Sequence, residues 1–98
     1  MIEAFQNINK AFESKVRLGI MAVLMVNEEA DFNMLKELLS LTDGNLASHT
    51  RALEELGYIV CQKSFVGRKP KTSFHATTQG KAAFKAHIEA LENFLKAT

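Results

Sequence analysis

From Asp43 to Arg51 the chain packs short polar side chains into what reads as one helix: Asp43-Gly44-Asn45-Leu46-Ala47-Ser48-His49-Thr50-Arg51. At about 100° per residue, Leu46, Thr50 and Leu53 fall within about 60° of one another and mark a buried face. Gly44, Ser48, Arg51 and Glu55 project roughly opposite, with Asn45, His49 and Ala52 on the flank. An outward surface of small polar groups over the first turns is what a helix needs to enter a groove about 12 Å wide and reach base edges. Asn pairs with adenine, Arg with guanine, and Ser serves either a base or a phosphate. The candidate contact set is therefore Thr42, Asp43, Gly44, Asn45, Ser48, His49 and Arg51. Gly44 is the unusual choice, because glycine inside a helix costs up to about 1 kcal/mol relative to alanine. Either a backbone approaches a phosphate there, or the turn itself requires glycine.

A second group of charges adds to this. The net charge is only +1, yet between Glu55 and Glu89 there is no acidic residue, while Lys63, Arg68, Lys69, Lys71, Lys81 and Lys85 all fall in that interval. Lys63, Arg68, Lys69 and Lys71 surround Gly67-Arg68-Lys69-Pro70-Lys71, which reads as a turn. Cations held beside a reading helix can grip phosphates and release condensed counterions. A turn that is merely solvated would carry the same residues.

Other chemistries find little support. Cys61, His49, His75 and His87 are the only soft ligands, and none pairs with another at helical or hairpin spacing. No Gly-rich phosphate loop, Ser-His-Asp set or isolated carboxylate pair appears. Neither an enzyme nor a resident metal or cofactor is expected. The single cysteine excludes an internal disulfide framework and suits a reducing cytoplasm. No apolar run approaches the roughly 18 residues of a membrane-spanning helix, and the first ten residues do not read as a signal peptide. A cytoplasmic protein with no membrane partner is expected.

The elements that must position these groups follow from periodicity. At 98 residues the chain makes one domain, residues 1–98. Ile2, Phe5, Ile8 and Phe12 form the stripe of an opening amphipathic helix. Ser14 caps a second helix with Val16, Ile20, Val23 and Leu24 inward, and Asn27 to Ala30 is a loop. After a stub of strand at Asp31-Phe32, Asn33 caps a third helix that turns Met34, Leu35, Leu38 and Leu39 inward. Thr42 or Asp43 caps a fourth, ended by Gly57. The chain from Tyr58 to Val66 is aromatic and β-branched, and Thr72 to Thr77 is the returning strand. A last helix runs from Thr78, with Phe84, Ile88, Leu91 and Leu95 in a coiled-coil-like seam.

A helix-turn-helix followed at once by a β-hairpin is a winged helix, here α+β but mostly helical, with amphipathic helices at both termini. The terminal stripes use large residues: Ile2, Phe5, Ile8 and Phe12 at one end, Phe84, Ile88, Leu91 and Leu95 at the other. They predict a two-fold homodimer, in which the reading helices of two copies stand about 34 Å apart. The alternative is that both stripes cover the core of one subunit.

The motifs Val16-Arg17-Leu18-Gly19-Ile20-Met21, Asp31-Phe32-Asn33-Met34-Leu35-Lys36 and Leu41-Thr42-Asp43-Gly44-Asn45-Leu46-Ala47-Ser48-His49 resemble a compact group of winged-helix transcriptional regulators related to the MarR and ArsR repressors. Leu53-Glu54-Glu55-Leu56-Gly57-Tyr58-Ile59, Arg68-Lys69-Pro70-Lys71-Thr72 and Thr77-Thr78-Gln79-Gly80-Lys81 continue the resemblance across nearly the whole chain. It implies a homodimeric, sequence-specific binder of double-stranded DNA, with residues 42–56 in the major groove and the basic wing, residues 63–72, on the phosphate backbone or in the minor groove. The cysteine-containing helix motif of the metal-sensing ArsR proteins is missing, and Thr50 stands where related regulators usually carry Leu. Two rivals are a winged-helix protein-interaction module that meets an acidic partner, and a metal- or redox-sensing version resting on Cys61.

Overall fold

The computed structural model describes residues 2–97, the side chain of Ile2 excepted. The chain forms α1 (Ile2–Gln6), a 3-10 turn (Lys10–Glu13), α2 (Lys15–Val26), β1 (Ala30–Asp31), α3 (Phe32–Leu39), α4 (Asp43–Glu55), β2 (Ile59–Val66), β3 (Lys69–Ala76) and α5 (Thr78–Ala97). The strands make one antiparallel sheet in the order β1-β3-β2. The winged-helix reading of the element order holds.

The core lies where α2, α3 and α4 meet the base of the hairpin. Ile20, Met21, Leu24, Leu35, Leu46 and Leu53 are its most completely buried large side chains. Leu46, Thr50 and Leu53 are buried together, as the helical period requires. Thr50 keeps its hydroxyl satisfied by donating to the Ala47 carbonyl at 3.1 Å, so a polar residue costs this core little.

The ends of the elements differ from the sequence expectations in four places. The opening stripe is not one helix. Asn9 accepts from the Ala11 amide at 2.9 Å and so caps a separate 3-10 turn, while its own N–H donates to His87 Nδ1 and its side-chain amide donates to the Tyr58 hydroxyl. An Asn that offers the backbone these bonds competes with a continuous helix. The cap of α3 is Asp31, which accepts from the Met34 amide at 2.7 Å; Asn33 is already helical, and the stub strand lies one residue earlier, at Ala30–Asp31. Leu38 is 59% exposed rather than inward, because α3 leans onto α2 with Leu39 over Gly19. Finally, the hairpin turn is only Gly67-Arg68, and Lys69, Pro70 and Lys71 already belong to β3. Pro70 is tolerated there because β1 covers only Ser73 and Phe74, leaving the outer half of β3 an open edge.

Thr77 joins the two halves of the molecule. Its hydroxyl donates to the Gly57 carbonyl at 2.7 Å and accepts from the Gly80 amide at 2.9 Å, so one side chain caps α5 and secures the turn that ends α4. Gly57 holds φ at +79°, the left-handed stop that the sequence suggests. Beyond Ala90 α5 has no buried residue, and the radius of gyration is 14.7 Å. A compact domain of 100 residues has about 13 Å. The chain is elongated, 54 × 25 × 21 Å.

Candidate nucleic-acid interface

Thr42 begins α4 as its cap, accepting from the Asn45 amide at 3.2 Å. Thr42, Asp43, Gly44, Asn45 and Ser48 are all exposed, as is Arg51 further along, and His49 is half-buried. The structure therefore gathers the helix candidates at one accessible end of α4. Gly44 has no positive φ, and a Cβ added there would meet nothing. The turn does not require glycine, and the backbone there is bare.

Two candidates have partners within the subunit. Asp43 would repel a phosphate, but Lys36 Nζ lies 2.8 Å from its Oδ1. His49 Nδ1 accepts from Arg17 Nε at 3.2 Å, which ties α4 to the first turn of α2. Arg17 was not among the sequence candidates, since nothing in the local pattern of α2 announces a partner 32 positions away.

The hairpin distributes its cations over both faces. Lys63 stands opposite Thr72 and Phe65 opposite Pro70, on the face that carries Cys61 and Phe74. Ser64 pairs with Lys71 and Val66 with Lys69 on the other face. Arg68 sits at the tip beside Gly67, whose φ of +66° and negative-φ neighbour suit a type II′ turn. The face with Lys63 meets α4 in an open cleft of about 340 Å³ lined by Arg51, Glu54, Cys61 and Lys63 among others. Lys63, Arg68 and Lys69 are exposed, whereas Lys71 is half-buried with Nζ 3.9 Å from Glu29 Oε1. Exposed Phe65 and Val66, at 73% and 64%, give the basic tip an apolar component that charge counting overlooks.

Burial, reinforced by the Glu54 carboxylate, pushes the Cys61 thiol up against the opposing pull of Lys63. A thiol so placed is a poor nucleophile. No group of three potential metal ligands occurs among the described residues.

The terminal stripes divide. Phe12 and Phe84 are buried, their rings 5.4 Å apart and T-shaped, so these two serve the subunit's own core and not a dimer contact. Ile8, Ile88 and Leu91 are half-buried. Phe5 is 62% exposed with its ring 5.8 Å from that of Phe94 and tilted to it by 42°, and Leu95 is 71% exposed. The side chain of Ile2 lies outside the described residues.

The family model of the winged helix DNA-binding domain matches residues 16–95. The chain belongs to that family. An uncharacterized protein of Methanocaldococcus jannaschii is 46% identical over 79 residues, 81% of this chain and 86% of the relative. A transcriptional regulator homologue from Pyrococcus horikoshii OT3 superimposes with a TM-score of 0.89 at 32% identity, over 99% of this chain and 97% of the other. The MepR–DNA complex of S. aureus shares the fold at 16% identity, with a TM-score of 0.76 over 98% of this chain and 82% of that one. The fold of this chain is thus the winged helix that these solved regulator structures share. No helix among its described residues is long and apolar enough to cross a membrane.

Proposed function

We propose that this chain is a homodimeric regulator of transcription that binds double-stranded DNA in a sequence-specific way. The observation that carries the proposal is the bare, polar N-terminal half of α4 standing beside a hairpin with three exposed cations. Asn45 and Ser48 reach base edges in the major groove, with Gly44 giving the backbone room to approach. Arg51, Lys63, Arg68 and Lys69 hold phosphates on either side and fix the register of the helix. The Lys36–Asp43 pair keeps the one carboxylate at the helix start from opposing that contact.

The homodimer rests on the far end of the molecule. Phe5 and Phe94 form an aromatic pair on a surface that this subunit leaves open, and a second copy related by a two-fold axis covers it. Selection from a randomised duplex pool, followed by footprinting, tests both parts. Two inverted half-sites centred about one helical turn (~34 Å) apart are expected. Enrichment of a single, unrepeated site would refute the dimer, and failure to enrich any sequence would refute base reading. Phe5→Asp should shift the sedimentation coefficient to that of a monomer.

A further inference from the structure

The contact between Arg17 and His49 has a consequence for which bases α4 accepts. Arg17 Nε lies 3.2 Å from His49 Nδ1, and the guanidinium is a donor only, charged at every accessible pH. Nδ1 must therefore offer its lone pair. In the neutral ring the proton then resides on Nε2, because the hydrogen bond at one nitrogen fixes the state of the other. No residue among those described hydrogen-bonds to Nε2 of His49, and no buried side-chain nitrogen or oxygen lacks a partner. Nε2–H is thus open to solvent. His49 follows Asn45 by four residues, on the same flank of α4.

Resting on the DNA-binding reading above, we propose that Arg17 is a positioning residue that locks His49 as an Nε2–H donor and so makes it select hydrogen-bond acceptors on the DNA. In the major groove those acceptors are guanine N7 and O6, adenine N7 and thymine O4. The opposite tautomer would present a lone pair and favour the amino groups of cytosine and adenine. Arg17 thereby determines specificity from a different helix, without touching a base. Among the described residues its guanidinium has no carboxylate partner, and His49 is its one fixed polar contact.

The first test needs no DNA. Long-range proton–nitrogen NMR of the free wild-type protein should show an unprotonated Nδ1 and a protonated Nε2 on His49; a proton on Nδ1 overturns the proposal. Arg17→Met, which keeps a long apolar stem, should abolish that single-tautomer signature. The same signature in Arg17→Met would mean that Arg17 does not set it. On DNA, Arg17→Met should lower the preference for the selected duplex over random duplex about tenfold while leaving the salt slope unchanged. His49→Ala should lose the same preference, and the double variant no more than either alone. A loss by Arg17→Met that is equal on all duplexes, with the slope reduced by about one, would make Arg17 a phosphate contact and overturn the proposal. If no duplex binds at all, the DNA reading fails while the NMR result still judges the Arg17–His49 lock.

Discussion

The two ends of this molecule expose different mixtures of surface. Around α4 and the hairpin tip the accessible groups include Asn45, Ser48, Arg51, Lys63, Arg68 and Lys69, with Phe65 and Val66 among them; at the α1–α5 end Phe5 and Leu95 are exposed among polar residues such as Glu3, Gln6, Glu92 and Lys96. One core serves both. At the α4 end three buried positions, Leu46, Thr50 and Leu53, anchor the helix and release the rest of its circumference to polar groups. At the other end the two terminal stripes run from the buried Phe12 and Phe84 out to the exposed Phe5 and Leu95, so large apolar residues change role along each. Polar exposure suits a partner that is gripped and released, and apolar exposure suits a lasting contact with a second copy.

The largest expected effect lies at the joint. A Cβ on Gly80 would collide with the Tyr58 backbone carbonyl, which cannot swing aside as a side chain would. Gly80→Ala should cost about 3 kcal/mol or more, measured as a lower urea midpoint at constant slope, and should impair both ends together. If only one end suffers, the two regions do not share this core. Next come the paired head variants. Asn45→Ala should lose about 1–3 kcal/mol of discrimination between selected and random duplexes. Arg68→Glu should weaken every duplex by roughly tenfold and flatten the salt slope. Identical behaviour by the two would dissolve the distinction between reading helix and phosphate-gripping wing.

A subtler prediction concerns the tail side of the joint. His87 is buried against Phe12, and burial holds its imidazole below the usual histidine range. The unfolded chain then binds a proton more readily than the folded one, so stability is complete above about pH 6.5 and declines as pH falls toward the lowered folded value. Thermal melts should show this acid decline in the wild type. In His87→Leu it should be absent, although that variant is less stable at pH 8 because the Asn9 amide loses its acceptor. An unchanged decline would assign it to other groups. The smallest effect is also the most diagnostic of the head. Gly44→Ala should raise stability by about 0.5 kcal/mol through helix propensity while weakening DNA binding. A stabilised variant with undiminished affinity would mean that nothing approaches the backbone there.

Much of this was legible in the residues themselves. The alternation from helical to extended period placed α2, α3, α4, the two hairpin strands and α5, and the stop at Gly57 and a start at Thr42 or Asp43 bounded α4 because the chemistry at those positions is local; Thr42 is the cap. Less was legible where distant residues decide. Asn9 breaks the opening stripe only because His87 and Tyr58 stand ready to bond it. Leu38 turns outward because α3 tilts over Gly19, a tertiary choice between two apolar positions one residue apart. Lys69, Pro70 and Lys71 read as turn residues, yet an open sheet edge admits them to β3. Arg17 could not be found from sequence at all, since its significance lies in one hydrogen bond to His49.

The measurement that bears most directly on the account is fluorescence anisotropy of a random-sequence duplex titrated with the protein at about 50 and 200 mM salt. Saturable binding that weakens steeply with salt is the predicted result. Absence of binding at the lower salt would contradict the account and direct attention to an acidic protein partner for the same basic hairpin.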